Sequence, residues 1–139
     1  MKPFSFRLQR ILEYRELVEQ WARDAFLEAR GAKIEAEQVL QALDCRRSAL
    51  LCEELQELED GKALEPNLNT LDEDQRQHQA VCELLVQEES SCREKWLEKK
   101  REMEALQTLR AREHAEWMRE VNREEQKSGA ESAARRKAS

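Results

Sequence analysis

Apolar side chains recur every three or four residues from Phe4 to Leu43, at Phe4, Leu8, Ile11, Arg15, Val18, Ala22, Ala25, Ala29, Ala32, Ala36, Val39 and Leu43, with Arg15 the one exception. Steps of three and four return to the same side of a helix, so the pattern predicts one long helix with a narrow hydrophobic seam. Forty residues at about 1.5 Å each make a rod of roughly 60 Å. A seam this narrow fits a single partner helix rather than a globular core. The helix is expected to begin between Pro3 and Ser5, where the N–H that proline lacks would have no helical partner. After Leu43 the phase slips, and Arg47, Leu51, Leu55 and Leu58 extend the stripe only if one extra residue is absorbed as a stutter. On this reading the helix continues to about Asp60.

Gly61 and Glu65-Pro66-Asn67 then break the pattern, which predicts a turn over about 61–70. Thr70-Leu71-Asp72-Glu73 has the form of a capping box and places a second helix over about 71–127. Its seam runs through His78, Cys82, Leu85, Glu89, Cys92, Trp96, Lys99, Met103, Leu106, Arg110, Glu113 and Trp117, with fewer apolar members than the first. Ser128-Gly129 ends it, and 128–139 reads as a disordered tail. Two helices of nearly equal length joined by a short link predict an all-α fold, a long antiparallel two-helix coiled-coil hairpin forming one domain over 1–127. Both termini then lie at one end of the rod, with the link more than ~80 Å away.

Composition agrees with long solvated helices: 39% of residues are charged against 5% aromatic, with three Gly and two Pro. Two paired helices bury a stripe and leave no enclosed volume for a catalytic cavity. No Gly-rich phosphate loop, HExxH or nucleophile elbow is present, so the chain is not expected to be an enzyme, to carry a cofactor or to take a small-molecule substrate. A net charge of −6 argues against nonspecific nucleic-acid binding by the whole chain. The acid is concentrated in residues 31–95, net −9, whereas 1–30 carries +1 and 96–139 carries +2. Met1 to Leu12 lacks the uninterrupted apolar stretch of a secretory signal, and no run reaches membrane-spanning length. The chain is therefore expected in the cytoplasm, with Cys45, Cys52, Cys82 and Cys92 reduced. Packing in the seam is their favoured role. A zinc site with His78 would need ligands within about 2.3 Å of one ion, which Cys45 and Cys52 on one helix cannot supply together. A regulatory Cys52–Cys82 disulfide is little better supported than the zinc site.

Phe4, Phe6, Tyr14, Trp21 and Phe26 cluster in one half of the first helix, and Trp117 returns to the same end. Phe4 belongs to the seam while Phe6 and Tyr14 lie off it. Two readings stand: extra packing against the second helix, or an anchoring patch for a partner. Arg7, Arg10, Arg110, Arg119 and Arg123 share that end and suit an acidic protein surface.

The opening Phe4-Ser5-Phe6-Arg7-Leu8-Gln9-Arg10-Ile11-Leu12-Glu13-Tyr14-Arg15-Glu16 resembles the start of the FliJ family of flagellar type III export proteins. Leu106-Gln107-Thr108-Leu109-Arg110-Ala111-Arg112-Glu113-His114-Ala115-Glu116-Trp117, followed by Arg123-Glu124-Glu125-Gln126-Lys127, is similar to that family's charged closing segment. The four cysteines, the Glu65-Pro66 turn and the 128–139 tail depart from the family pattern. The resemblance implies a noncatalytic stalk and adaptor, similar to the central stalk of rotary ATPases, that serves flagellum biogenesis and motility. Its implied partners are the hexameric flagellar export ATPase, the cytosolic domain of the export gate, and export chaperones. It would act as a monomer at the cytoplasmic face of the inner membrane. On that basis Phe6, Arg7, Arg10, Tyr14, Arg110, Trp117 and Arg123 are the expected ATPase-binding residues, and Val39, Leu43, Leu68 and Leu71 the expected gate-binding residues. A self-associating structural coiled coil and the equivalent stalk of a virulence secretion system are the alternatives.

Overall fold

The structure is a computed structural model that describes residues 2–57 and 65–138. Among these it contains two helices, α1 (Gln9–Glu57) and α2 (Glu65–Ala138), which pack against each other, and no strand. The fold is the all-α helical hairpin that the paired seams predict. Gly61, assigned to the turn, lies outside the described residues. The chain divides into two compact units. An outer unit joins Met1–Gln20 to Leu97–Ser139, and an inner unit comprises Trp21–Trp96.

In the outer unit α1 begins at Gln9, later than expected. Lys2–Phe6 is not helical, and Arg7 and Leu8 form a turn closed by the Gln9 N–H donating to the Phe6 carbonyl at 3.1 Å. The first helical bond follows, from the Leu12 N–H to the Leu8 carbonyl at 2.9 Å. Phe4 and Phe6 turn inward while Ser5 is exposed, and Phe6 becomes one of the best buried residues at 6% exposure. Leu12 is buried further still, at 3%. Arg15 reaches across to α2, with Nη1 2.6 Å from Glu102 Oε2.

In the inner unit the apolar core consists of Phe26, Ala29, Leu71 and Cys82, with Phe26 stacked on Trp96 at a ring separation of 5.4 Å. Two further α1 cations meet α2 carboxylates there. Lys33 Nζ lies 2.9 Å from Glu89 Oε2, a buried oxygen whose only counterpart among the described residues is that ammonium. Arg47 Nε lies 3.2 Å from Asp72 Oδ1, and its Nη1 donates to Gln75 Oε1 at 3.3 Å.

These pairs correct the register. The covered positions of α1 are Leu8, Leu12, Arg15, Glu19, Ala22, Phe26, Ala29, Lys33, Ala36, Leu40, Leu43, Arg47 and Leu50, an unbroken alternation of fours and threes. The predicted seam shares every second member, but Ile11, Ala25 and Val39 are exposed; Val18 and Ala32 are half-buried beside Glu19 and Lys33. No stutter follows Leu43, because Leu51 and Leu55 face solvent. The seam of α2 follows its predicted positions from Cys82 to Leu106, whereas His78 and Arg110 are exposed.

α2 starts at Glu65 rather than Leu71. Pro66 falls in its first turn, where backbone N–H groups have no intrahelical acceptor and proline costs little. Thr70 is thus inside the helix, and Glu73 engages Gln77 and Arg76 instead of capping. At the other end the helix passes through Gly129 to Ala138 where a disordered tail was expected. One glycine costs about 1 kcal/mol, which the surrounding Ala, Glu and Lys residues offset. Arg135, Arg136 and Lys137 in the last turn suit the negative end of the helix dipole.

Two outcomes follow from the packing. Leu12→Ala should destabilise the protein by about 2–3 kcal/mol in urea unfolding, the range for a buried leucine in a core that relaxes in part. Lys33 is held above its ordinary value of 10.5, chiefly by the hydrogen bond to Glu89 and against desolvation, which lowers it. A raised folded-state value contributes stability that is fully present below pH 10.5 and is lost as pH rises through the folded value. Thermal melts across that alkaline range should decline less steeply in Lys33→Met than in the parent protein.

Candidate functional site

The outer unit gathers most of the residues that the sequence singles out. Arg110, His114 and Trp117 fall at steps of four and three on α2, one face of the helix. Phe4 lies on that face. Its ring meets His114 edge-on at 4.9 Å and Trp117 at 5.9 Å, and the Arg110 guanidinium carbon sits 5.4 Å from its centroid. His114 and Trp117 complete the cluster at 5.7 Å. Two hydrogen bonds lock it: Arg110 Nε donates to Gln9 Oε1 at 3.0 Å, and Trp117 Nε1 donates to the Lys2 carbonyl at 3.2 Å. The cation–π contact and the aromatic pairs hold the non-helical Lys2–Phe6 segment against α2.

This arrangement sorts the expected ATPase-binding residues. Phe6 is buried and turned away from any partner. Arg110 and Trp117 are engaged in holding the N-terminal segment. Arg7, Arg10, Tyr14 and Arg123 are exposed, Tyr14 by 58%. Arg10 and Tyr14 lie one turn apart on the side of α1 opposite Leu12 and Arg15, and exposed Leu17 continues that stripe. His114 and Leu17 were missed. The step-of-four-and-three pattern of Arg110, His114 and Trp117 was the signal available for the first, and an apolar residue on the polar side of the seam for the second.

The expected gate-binding residues fall in the inner unit. Leu71 is 5% exposed, Leu43 and Leu68 are half-buried in the seam, and only Val39 is displayed, at 44%. Cys82 is buried and Cys92 half-buried, as packing predicts, while Cys45 and Cys52 are exposed. Among the described residues no three His, Cys, Asp or Glu side chains converge as a metal site. No described helix is long and apolar enough to cross a membrane. Chemically, the outer unit offers a clasped aromatic cluster and an exposed basic and aromatic stripe.

Because Phe4 joins three partners, Phe4→Ala should release the N-terminal segment. The expected result is rapid hydrogen exchange of the Trp117 indole N–H and a loss of about 1–3 kcal/mol in unfolding free energy, below a fully buried phenylalanine because Phe4 is half-exposed.

No curated protein and no solved structure matches the chain. The family model described as flagellar FliJ protein matches residues 4–138. With nearly its whole length matched and both of its terminal segments included, the chain belongs to the FliJ family, noncatalytic components associated with flagellar export.

Proposed function

We propose that this chain is a stalk and adaptor of the flagellar export apparatus, whose outer unit binds the hexameric export ATPase and whose inner unit meets the cytosolic domain of the export gate, assisting export chaperones as they cycle. Family membership over 4–138 is the observation that carries the reading. The stripe of Arg7, Arg10, Tyr14 and Leu17 supports its ATPase half, since these side chains are displayed rather than spent on packing. Guanidinium groups beside an exposed tyrosine suit an acidic partner surface, where Arg supplies paired hydrogen bonds and the ring supplies area at low entropic cost. Phe6 and Leu71 act in this scheme by supporting the surface from beneath. On the inner unit Val39 is the displayed apolar residue, and an acidic surround suits a partner with basic residues.

The decisive measurement is turnover and binding of the purified cognate ATPase with and without this protein. Arg7→Glu combined with Arg10→Glu should weaken binding at least about tenfold, an effect that shrinks with added salt because the charges lie at the rim. Circular dichroism should be unchanged, since both side chains are exposed. A parent protein that neither binds the hexamer nor alters its turnover would overturn the reading.

A further inference from the structure

The outer unit contains an open cleft of about 550 Å³ between the Lys2–Ser5 segment and the α2 residues Glu113, Trp117 and Glu124. Its walls are of two kinds. Phe4 and Trp117 supply aromatic surface, and Glu113 and Glu124 supply carboxylates. Glu113 is half-buried, and neither carboxylate has an ion pair or hydrogen bond among the described residues. Lys2 shares the cleft without pairing to either, while its carbonyl is taken by Trp117.

Two carboxylates without an ion pair beside an aromatic face are the chemistry that recognises a cation on an aliphatic stem. The charge meets the carboxylate, the stem lies along the ring, and the ring quadrupole adds attraction. Glu113 stands one turn before Trp117 and Glu124 two turns after it, so the carboxylates are about 16 Å apart along the helix axis. We infer that this cleft is a docking groove for a basic segment of a partner protein, with two Arg or Lys side chains set on Glu113 and Glu124 and an apolar residue between them on Trp117. An extended segment rising about 3.3 Å per residue brings its cations to the two carboxylates when they are four to six residues apart. The groove differs in sign from the Arg7, Arg10 and Tyr14 stripe and does not depend on what that stripe binds.

The probe is a blocked nine-residue peptide carrying two arginines five residues apart with a leucine between them, titrated into the full-length ¹⁵N-labelled protein. The indole signals of Trp21, Trp96 and Trp117 are followed, assigned by single Trp→Phe variants. The expected result is a saturable shift of the Trp117 signal alone, weakened by salt and absent with a peptide bearing glutamine for arginine. Glu113→Gln with Glu124→Gln should weaken binding at least about threefold, the scale of two exposed ion pairs. Removing the same charge from positions off that face, by Glu116→Gln with Glu125→Gln, both exposed, should leave it within about twofold. Equal loss in both double variants, equal binding of the glutamine peptide, or shifts shared by Trp21 and Trp96 would each overturn the proposal. So would the absence of saturation at millimolar peptide.

Discussion

Three ion pairs fix how the two helices meet. In each, the cation comes from α1 and the carboxylate from α2: Arg15 with Glu102, Lys33 with Glu89, and Arg47 with Asp72. All six side chains are partly covered rather than sealed from water, so none of the pairs is a large source of net stability. Their weight lies in register. The seam of α1 holds Ala22, Ala29 and Ala36, residues that permit close approach but bury little area at roughly 25 cal/mol per Å². A slip of one heptad would lose little apolar contact at these alanines, its apolar cost falling on the Phe26–Trp96 stack. It would, however, move every cation away from its carboxylate, and the uniform polarity of the pairs also discourages two copies of α1 from associating through the same face.

Within the outer unit, aromatic residues are divided between holding the chain and displaying a surface. Phe4, Phe6, His114 and Trp117 pin a non-helical segment onto α2, and Arg110 closes over it. What remains outward is narrower than a count of aromatic and basic residues suggests: Arg7, Arg10, Tyr14 and Leu17 on one side, and the acidic cleft beside Trp117 on another.

Much of the fold was legible in the sequence. Two seams of period three and four predicted a helical pair, and the α2 seam from Cys82 to Leu106 was read at its true positions. The α1 seam was misread because Ile11 and Val39 look better suited to burial than Lys33 and Arg47, and a single-helix rule cannot see the carboxylates waiting on the other helix. Phe6 was misplaced for a related reason. Helical periodicity carries the seam back to Phe4, whereas Lys2–Phe6 is not helical and turns Phe4 and Phe6 inward together with Ser5 exposed between them. Pro66 and Gly129 were read as breakers, although a first-turn proline is tolerated and one glycine is outweighed by strong helix formers around it. The site was half legible: residue types marked the right unit, but whether an Arg or Trp holds the chain or faces outward depends on contacts between segments more than one hundred residues apart.

α2 continues well past the point where α1 and the N-terminal segment accompany it, and from Glu125 to Ala138 every residue is exposed. A helix in that situation draws its order from local hydrogen bonds and propensity, since no apolar face is buried along it. Its melting is governed by helix–coil statistics, so it loses order by degrees on warming while the clasped part of the outer unit unfolds in a cooperative step. A ligand docking on this stretch would meet a helix whose ordering cost is already partly met by the chain itself.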